Sequence, residues 1–170
     1  MDTAVQEKLE TFRTKIVGLE IALKKHPKAL VGDSPEYLKV CPLKHTFVDG
    51  AYVRELFMPK GMLFVTKIHK VTHPYFLMKG DCSVLTEDGI KRIKAPFSGI
   101  TKAGTKRIIY THADTVWITV HTNPDNGEDL EKIEERHIAK TFDELNIIDI
   151  KAFVVEAKKG DDNALLLQKS

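Results

Sequence analysis

The stretch KIHKVTHPYFLMKG, residues 67 to 80, decides how the chain is read. Polar and apolar side chains alternate over much of it, as in a half-buried β-strand, and it carries two histidines four residues apart. Side chains two apart on a strand share a face, so Lys67, His69 and His73 are expected on one wall of a pocket. Two imidazoles on one wall can begin a metal site, which needs about three well-aligned nitrogen or oxygen ligands and an open position. They can equally be polar residues facing water.

The same texture runs outward from this stretch, from about 47 to 122. AYVRELFM, MLFVTKIHKV, YFLMKG, CSVLTEDG, IKRIKAPF, GITKAGTKRIIY and TVWITVHT read as short strands separated by PKG, KGD, EDG and SG. Short strands with Gly, Pro and Asp punctuation predict an all-β sandwich or barrel. EDG at 87–89 marks a hairpin, with Asp-Gly expected at the turn positions.

The flanks differ. Over residues 2–25, Val5, Leu9, Phe12, Ile16, Leu19 and Leu23 follow a heptad-like stripe ended by Pro27, which predicts a helix. That helix either packs on its own domain or pairs with another subunit. Residues 27–46 mix proline, glycine and charge and are expected as a linker or strap. GEDLEKIEERHIAK, 127–140, is acidic at its start and basic near its end, as a helix dipole prefers. Residues 147–159 suit a last helix or an added strand, and GDDNALLLQKS a loose tail. The expected division is 1–26 helix, 27–46 strap, 47–123 barrel and 124–170 C-terminal helical extension and tail.

Composition excludes several classes. The chain has 170 residues, 42% hydrophobic and 29% charged, ordinary for one soluble domain with a core. A net charge of +2 argues for neither a nucleic-acid polymer nor an anionic membrane as partner. No apolar run approaches the roughly 20 residues of a membrane span. The opening MDTAVQEKLE is polar and acidic, unlike a secretory signal, so a cytoplasmic location is expected. Cys41 and Cys82 form no C-x-x-C pair and are expected as reduced thiols. No phosphate-binding glycine loop is present, and neither Ser83 nor Ser98 has a neighbouring histidine to suggest a nucleophilic triad.

The strand region resembles the cupin superfamily. Its first motif runs G-x5-H-x-H-x3,4-E-x6-G and its second G-x5-P-x-G-x2-H-x3-N. With Gly80 as the closing glycine, His69 takes the second histidine position, Lys67 the first, and His73 the glutamate. In KAGTKR, 102–107, Lys102 replaces the proline, Gly104 holds, and Arg107 takes the histidine position. FMPKG (57–61), KIHKVTH (67–73), LTEDG (85–89), KAPF (94–97), KAGTKR and DTVWITVH (114–121) are similar to runs in short cupin-like proteins of tailed phages, a group with no settled activity. The resemblance implies a mainly β fold, a cupin-type double-stranded β-helix or jelly-roll barrel, with an N-terminal helix and a C-terminal helical extension. It implies a pocket and, as in many cupins, a homo-oligomer.

Three readings of the pocket stay open. His69, His73 and His121 are a conceivable divalent-metal set, although permanent cations beside it would repel the ion. The histidines can also be merely hydrogen-bonded in a polar barrel mouth. In the third reading the pocket is metal-free and takes an anion, with Tyr52, Arg54, Lys67, His69, His73, Arg107, Trp117 and His121 as its lining and Lys102 at its rim. Arginine forks suit phosphate or carboxylate, and His69 and His73 are of a type that serves in acid–base catalysis. The leading expectation is a protein that binds a small anionic molecule, a nucleotide or a phosphorylated sugar, and in a phage sequesters or degrades a host signal. The alternatives are a metal-dependent or acid–base isomerase or hydrolase using His69 and His73, and a structural, virion-associated oligomer.

Overall fold

The alternating runs fold as strands because each has one apolar face to bury, and two antiparallel sheets bury those faces against each other. A computed structural model describes residues 3–30, 32 and 34–145; residues 147–159, expected as a last helix or strand, and the tail after them lie outside these. In chain order the elements are α1 (Thr3–Lys24), α2 (Pro35–Val40), β1 (Leu43–Val48), β2 (Gly50–Met58), β3 (Leu63–Val65), β4 (Ile68–His69), β5 (His73–Lys79) and β6 (Asp81–Thr86). They continue with β7 (Gly89–Lys94), β8 (Phe97–Thr101), β9 (Ile108–Thr111), β10 (Thr115–Asn123), α3 (Leu130–His137), β11 (Ile138–Ala139) and a 3-10 turn (Phe142–Glu144).

One sheet has the order β1-β2-β10-β5-β8, the other β3-β9-β6-β7, and β11 pairs with β4 beside them. The chain passes repeatedly from one sheet to the other, which makes a jelly-roll barrel of the cupin type, mainly β, with a helix at the N-terminal side and another after the barrel. β1 begins at Leu43, inside the stretch expected as a strap, which also holds α2.

Register places the site. Trp117 of β10 lies opposite Leu56 of β2 on one side and Leu77 of β5 on the other, and Leu77 opposite Phe97 of β8. Two residues along each strand, Thr119 lies between Arg54 and Tyr75, and Tyr75 opposite Gly99. One step further come His121 opposite Tyr52 and His73 opposite Thr101. The barrel interior therefore changes from apolar to polar at the same height on four strands. The apolar part, with Leu56, Met58, Leu77, Cys82, Val84, Ile93, Ile109 and Trp117, is the core.

Two expectations are corrected. Residues 67–73, expected on one continuous strand face, are interrupted: β4 ends at His69 and β5 starts at His73, with a bend between. In the β6–β7 hairpin the turn residues are Glu87 and Asp88, since Gly89, at φ +111°, already pairs with Thr86. The N-terminal helix docks on its own chain. Ile16 is buried, the half-buried Glu20 pairs with the buried Lys106 at 2.8 Å, and Arg13 lies over the Phe142 ring at 4.6 Å.

Gly80, where the chain leaves one sheet for the other, has φ +106° and touches the start of β10. A Cβ there would lie 2.7 Å from the Asp114 carbonyl oxygen and 2.8 Å from Thr115 Cα, and would also overlap Thr115 Oγ1. Both the left-handed backbone and the lack of space demand glycine. Gly80→Ala is expected to destabilise the fold by about 2–4 kcal/mol in chemical denaturation; a loss below about 0.5 kcal/mol, the range of a neutral surface change, would contradict this packing.

Candidate metal centre

His69, His73 and His121 come together at the polar end of the barrel from three strands. Each offers a ring nitrogen, and the three nitrogens lie within 4.8 Å of one another. Ring centroids are 4.3 Å apart for His69–His73 and for His73–His121, and 5.9 Å for His69–His121. The bend at 70–72 makes this possible: it brings His69 and His73 round to the same point, where a straight strand would have separated them.

Each ring has one buried nitrogen without a hydrogen bond. His73 Nδ1–H donates to the Val71 carbonyl at 3.0 Å, so Nε2 carries the lone pair, and Nε2 has no partner. His121 Nε2 sits 3.1 Å from Thr119 Oγ1, and its Nδ1 has no partner. His69 Nδ1 is likewise buried and unpartnered. Five buried side-chain nitrogens among the described residues lack a hydrogen bond: these three, His137 Nδ1 and Arg13 Nε. An orphaned buried polar atom costs about 1–3 kcal/mol, so the three imidazoles that converge within 4.8 Å call for a ligand.

Burial holds these imidazoles neutral, with neighbouring positive groups adding to it. His69 is pushed down to about 2 by burial, then by His73, Arg107, His121 and Arg54. His121 falls to about 3 by burial, then His73, His137 and Arg54. His73 is lowered by burial, partly offset by its bond to Val71, and lowered further by Arg107 and His137. A neutral imidazole is the form that ligates a metal.

The other expected residues divide. Tyr52 is buried opposite His121, with rings 6.0 Å apart and its hydroxyl 2.6 Å from His45 Nδ1. Arg54 shares the inward face with Tyr52, opposite Thr119, and its charge reaches His69 and His121. Trp117 forms the floor, stacked on Tyr75 at 4.5 Å and 9°; Gly99 makes room for that Tyr75 ring, which a Cβ would meet at 2.6–2.8 Å. Arg107 is buried, hydrogen-bonded through Nη2 to Thr101 Oγ1 and placed over Tyr75 and Trp117 at 5.2 and 5.7 Å.

Lys67 does not join them. Just outside the two-residue β4, it turns to the surface and pairs with Glu134 of α3 at 2.7 Å. Lys102 is exposed. Ser83, read as lacking a histidine neighbour, in fact has one: its Oγ lies 2.8 Å from His112 Nε2 across the β6–β9 pair, away from the barrel interior. The residue that sequence reasoning missed is His137, whose ring lies 4.9 Å from His121. Its place in the last turn of a helix reads as a dipole partner, and only the β11–β4 pairing carries it to the site. A cleft of about 180 Å³ reaches the cluster, walled by residues 50–51, 71–74, 120–122 and His137.

No family model matches the chain, and no curated protein matches it. Solved structures do match, and several are cupin domains. KdgF from Halomonas sp. aligns over 55% of this chain and 84% of that one, at TM-score 0.45 and 10% identity. The cupin domain of Cnp3 from Schizosaccharomyces pombe aligns over 55% and 69%, at TM-score 0.42 and 16% identity. A cupin domain from Bordetella pertussis Tohama I aligns over 49% and 93%, at TM-score 0.40 and 13% identity. At these identities the likeness concerns the fold alone.

Proposed function

We propose that this cupin-fold protein holds a divalent transition metal on His69, His73 and His121 and takes a small anionic molecule beside it. The observation that carries this reading is the convergence of three buried, neutral imidazoles, each with a buried ring nitrogen that has no hydrogen-bond partner. Imidazole donors suit zinc, copper, iron and nickel. A bound ion would supply Lewis acidity and lower the pKa of a water it holds.

The charge of the site points to the ligand. The group contains no carboxylate, because His73 stands where the cupin motif has glutamate. Arg54 and Arg107 add positive charge near it. An anion from outside supplies the missing negative charge, and the inward face of Arg54 offers a fork for a carboxylate or phosphate. The Thr119 hydroxyl and the Val71 carbonyl fix the rings of His121 and His73. The Trp117–Tyr75 stack closes the floor against water.

The cleft of about 180 Å³ that reaches His73, His121 and His137 is open to solvent on one side. Metal-assisted isomerisation or hydrolysis of a small anionic molecule is the reaction class that fits. A phage origin and a host signal as target rest on the motif resemblance only.

Tag-free protein is expected to bind about one equivalent of Zn²⁺ or Ni²⁺ in equilibrium dialysis, and His73→Ala and His121→Ala are each expected to lose it. Wild-type protein that takes up no metal contradicts the reading.

The same histidines give the metal-free protein a pH signature. Their folded-state pKa values lie below the unfolded value of 6.5, so as pH falls below 6.5 the unfolded chain takes up protons that the folded chain refuses. Stability is therefore present above pH 6.5 and declines on acidification. By pH 4.5, two units below 6.5, His69 and His121 each cost up to about 2.7 kcal/mol at 1.36 per unit. Urea unfolding of chelator-treated protein should show this loss, reduced by about one proton's slope in His121→Asn. Equal slopes in the two proteins would count against a buried neutral His121.

A further inference from the structure

The three-histidine set leaves a fourth ring unexplained. His137 is 3% exposed, in the last turn of α3, outside every barrel strand. Its Nε2–H donates to the Thr122 carbonyl at 2.8 Å, which leaves Nδ1 as the lone-pair nitrogen, buried and without a partner. Metal-ligating histidines characteristically donate their other N–H to a backbone carbonyl or carboxylate. His73 has that arrangement through Val71, and His137 repeats it through Thr122.

The backbone ties this ring to the cluster. Ile138, the next residue, pairs with His69 through the β11–β4 ladder, and the His137 carbonyl accepts from Lys70 N–H at 2.8 Å. The Thr122 that holds the ring is the neighbour of His121. The His121–His137 ring separation, 4.9 Å, falls between the shortest and longest separations within the triad, 4.3 and 5.9 Å. His137 also walls the cleft that His73 and His121 face.

We propose that His137 is a fourth ligand of the metal centre, delivered by the α3–β11 junction. This rests on the three-histidine reading above. The His137 nitrogen stands outside the set whose members lie within 4.8 Å of one another, so ligation draws the end of α3 toward His121 and closes that side of the cleft. The Nδ1 lone pair then occupies a coordination position, and metal binding couples the C-terminal helix to the barrel.

The test compares wild type, His137→Ala and His137→Gln, loaded with Co²⁺ and followed by visible absorption, with affinity measured by competition against a chromophoric chelator. Glutamine keeps an N–H for the Thr122 carbonyl and lacks the imidazole donor, so it separates ligation from support of the fold. We expect one equivalent in all three, an affinity at least tenfold weaker in both variants, and a changed cobalt spectrum in both. Affinity and spectrum equal to wild type in His137→Gln would overturn this inference and leave the three-histidine centre intact. Weaker affinity with an unchanged spectrum would also overturn it, since His137 would then act only by packing on His121. A wild-type protein that takes no cobalt would overturn the three-histidine centre and this inference together.

Discussion

The site depends on the register of four antiparallel strands. With β2, β10, β5 and β8 locked as they are, Leu56, Trp117, Leu77 and Phe97 form one level, Arg54, Thr119, Tyr75 and Gly99 the next, and Tyr52, His121, His73 and Thr101 the last. A slip of one residue in any strand would turn its whole set of inward side chains outward. The apolar level resists such a slip, because it would expose Trp117 and Leu77. The burial of the core thus positions the histidines.

That placement creates a problem which the chain leaves open to a ligand. Four imidazole nitrogens are buried without hydrogen bonds, and Arg107 adds its charge to His69 and His73. Their burial disfavours protonation, so the histidines cannot settle the charge by pairing with an acid, and the cluster holds none. Such a site is poorly designed as a polar core and well suited to a cation with an accompanying anion. Arg107 is braced by Thr101 and the faces of Tyr75 and Trp117, so much of its charge is engaged within the barrel wall.

Much of this was legible in sequence. Period-two alternation marks the strands, and the spacing from His69 and His73 to Gly80 marks a glycine that φ +106° and the contact with Thr115 make obligatory. Trp117, Thr119 and His121 on one face follow from alternation alone. What alternation could not show was where it stops. Alternation places Lys67 inside only if one strand runs straight through 67–73; the bend at 70–72 turns His69 inward and leaves Lys67 with Glu134. His137 and the Ser83–His112 contact were illegible for another reason: both arise from pairings between segments distant in the chain.

The claim at the centre is that these buried imidazoles hold a metal ion. X-ray absorption at the metal edge of zinc-loaded wild-type protein tests it most directly. The account predicts at least three nitrogen scatterers at about 2.0–2.1 Å with the outer-shell pattern of imidazole rings. A shell of oxygen scatterers without imidazole signature would contradict it.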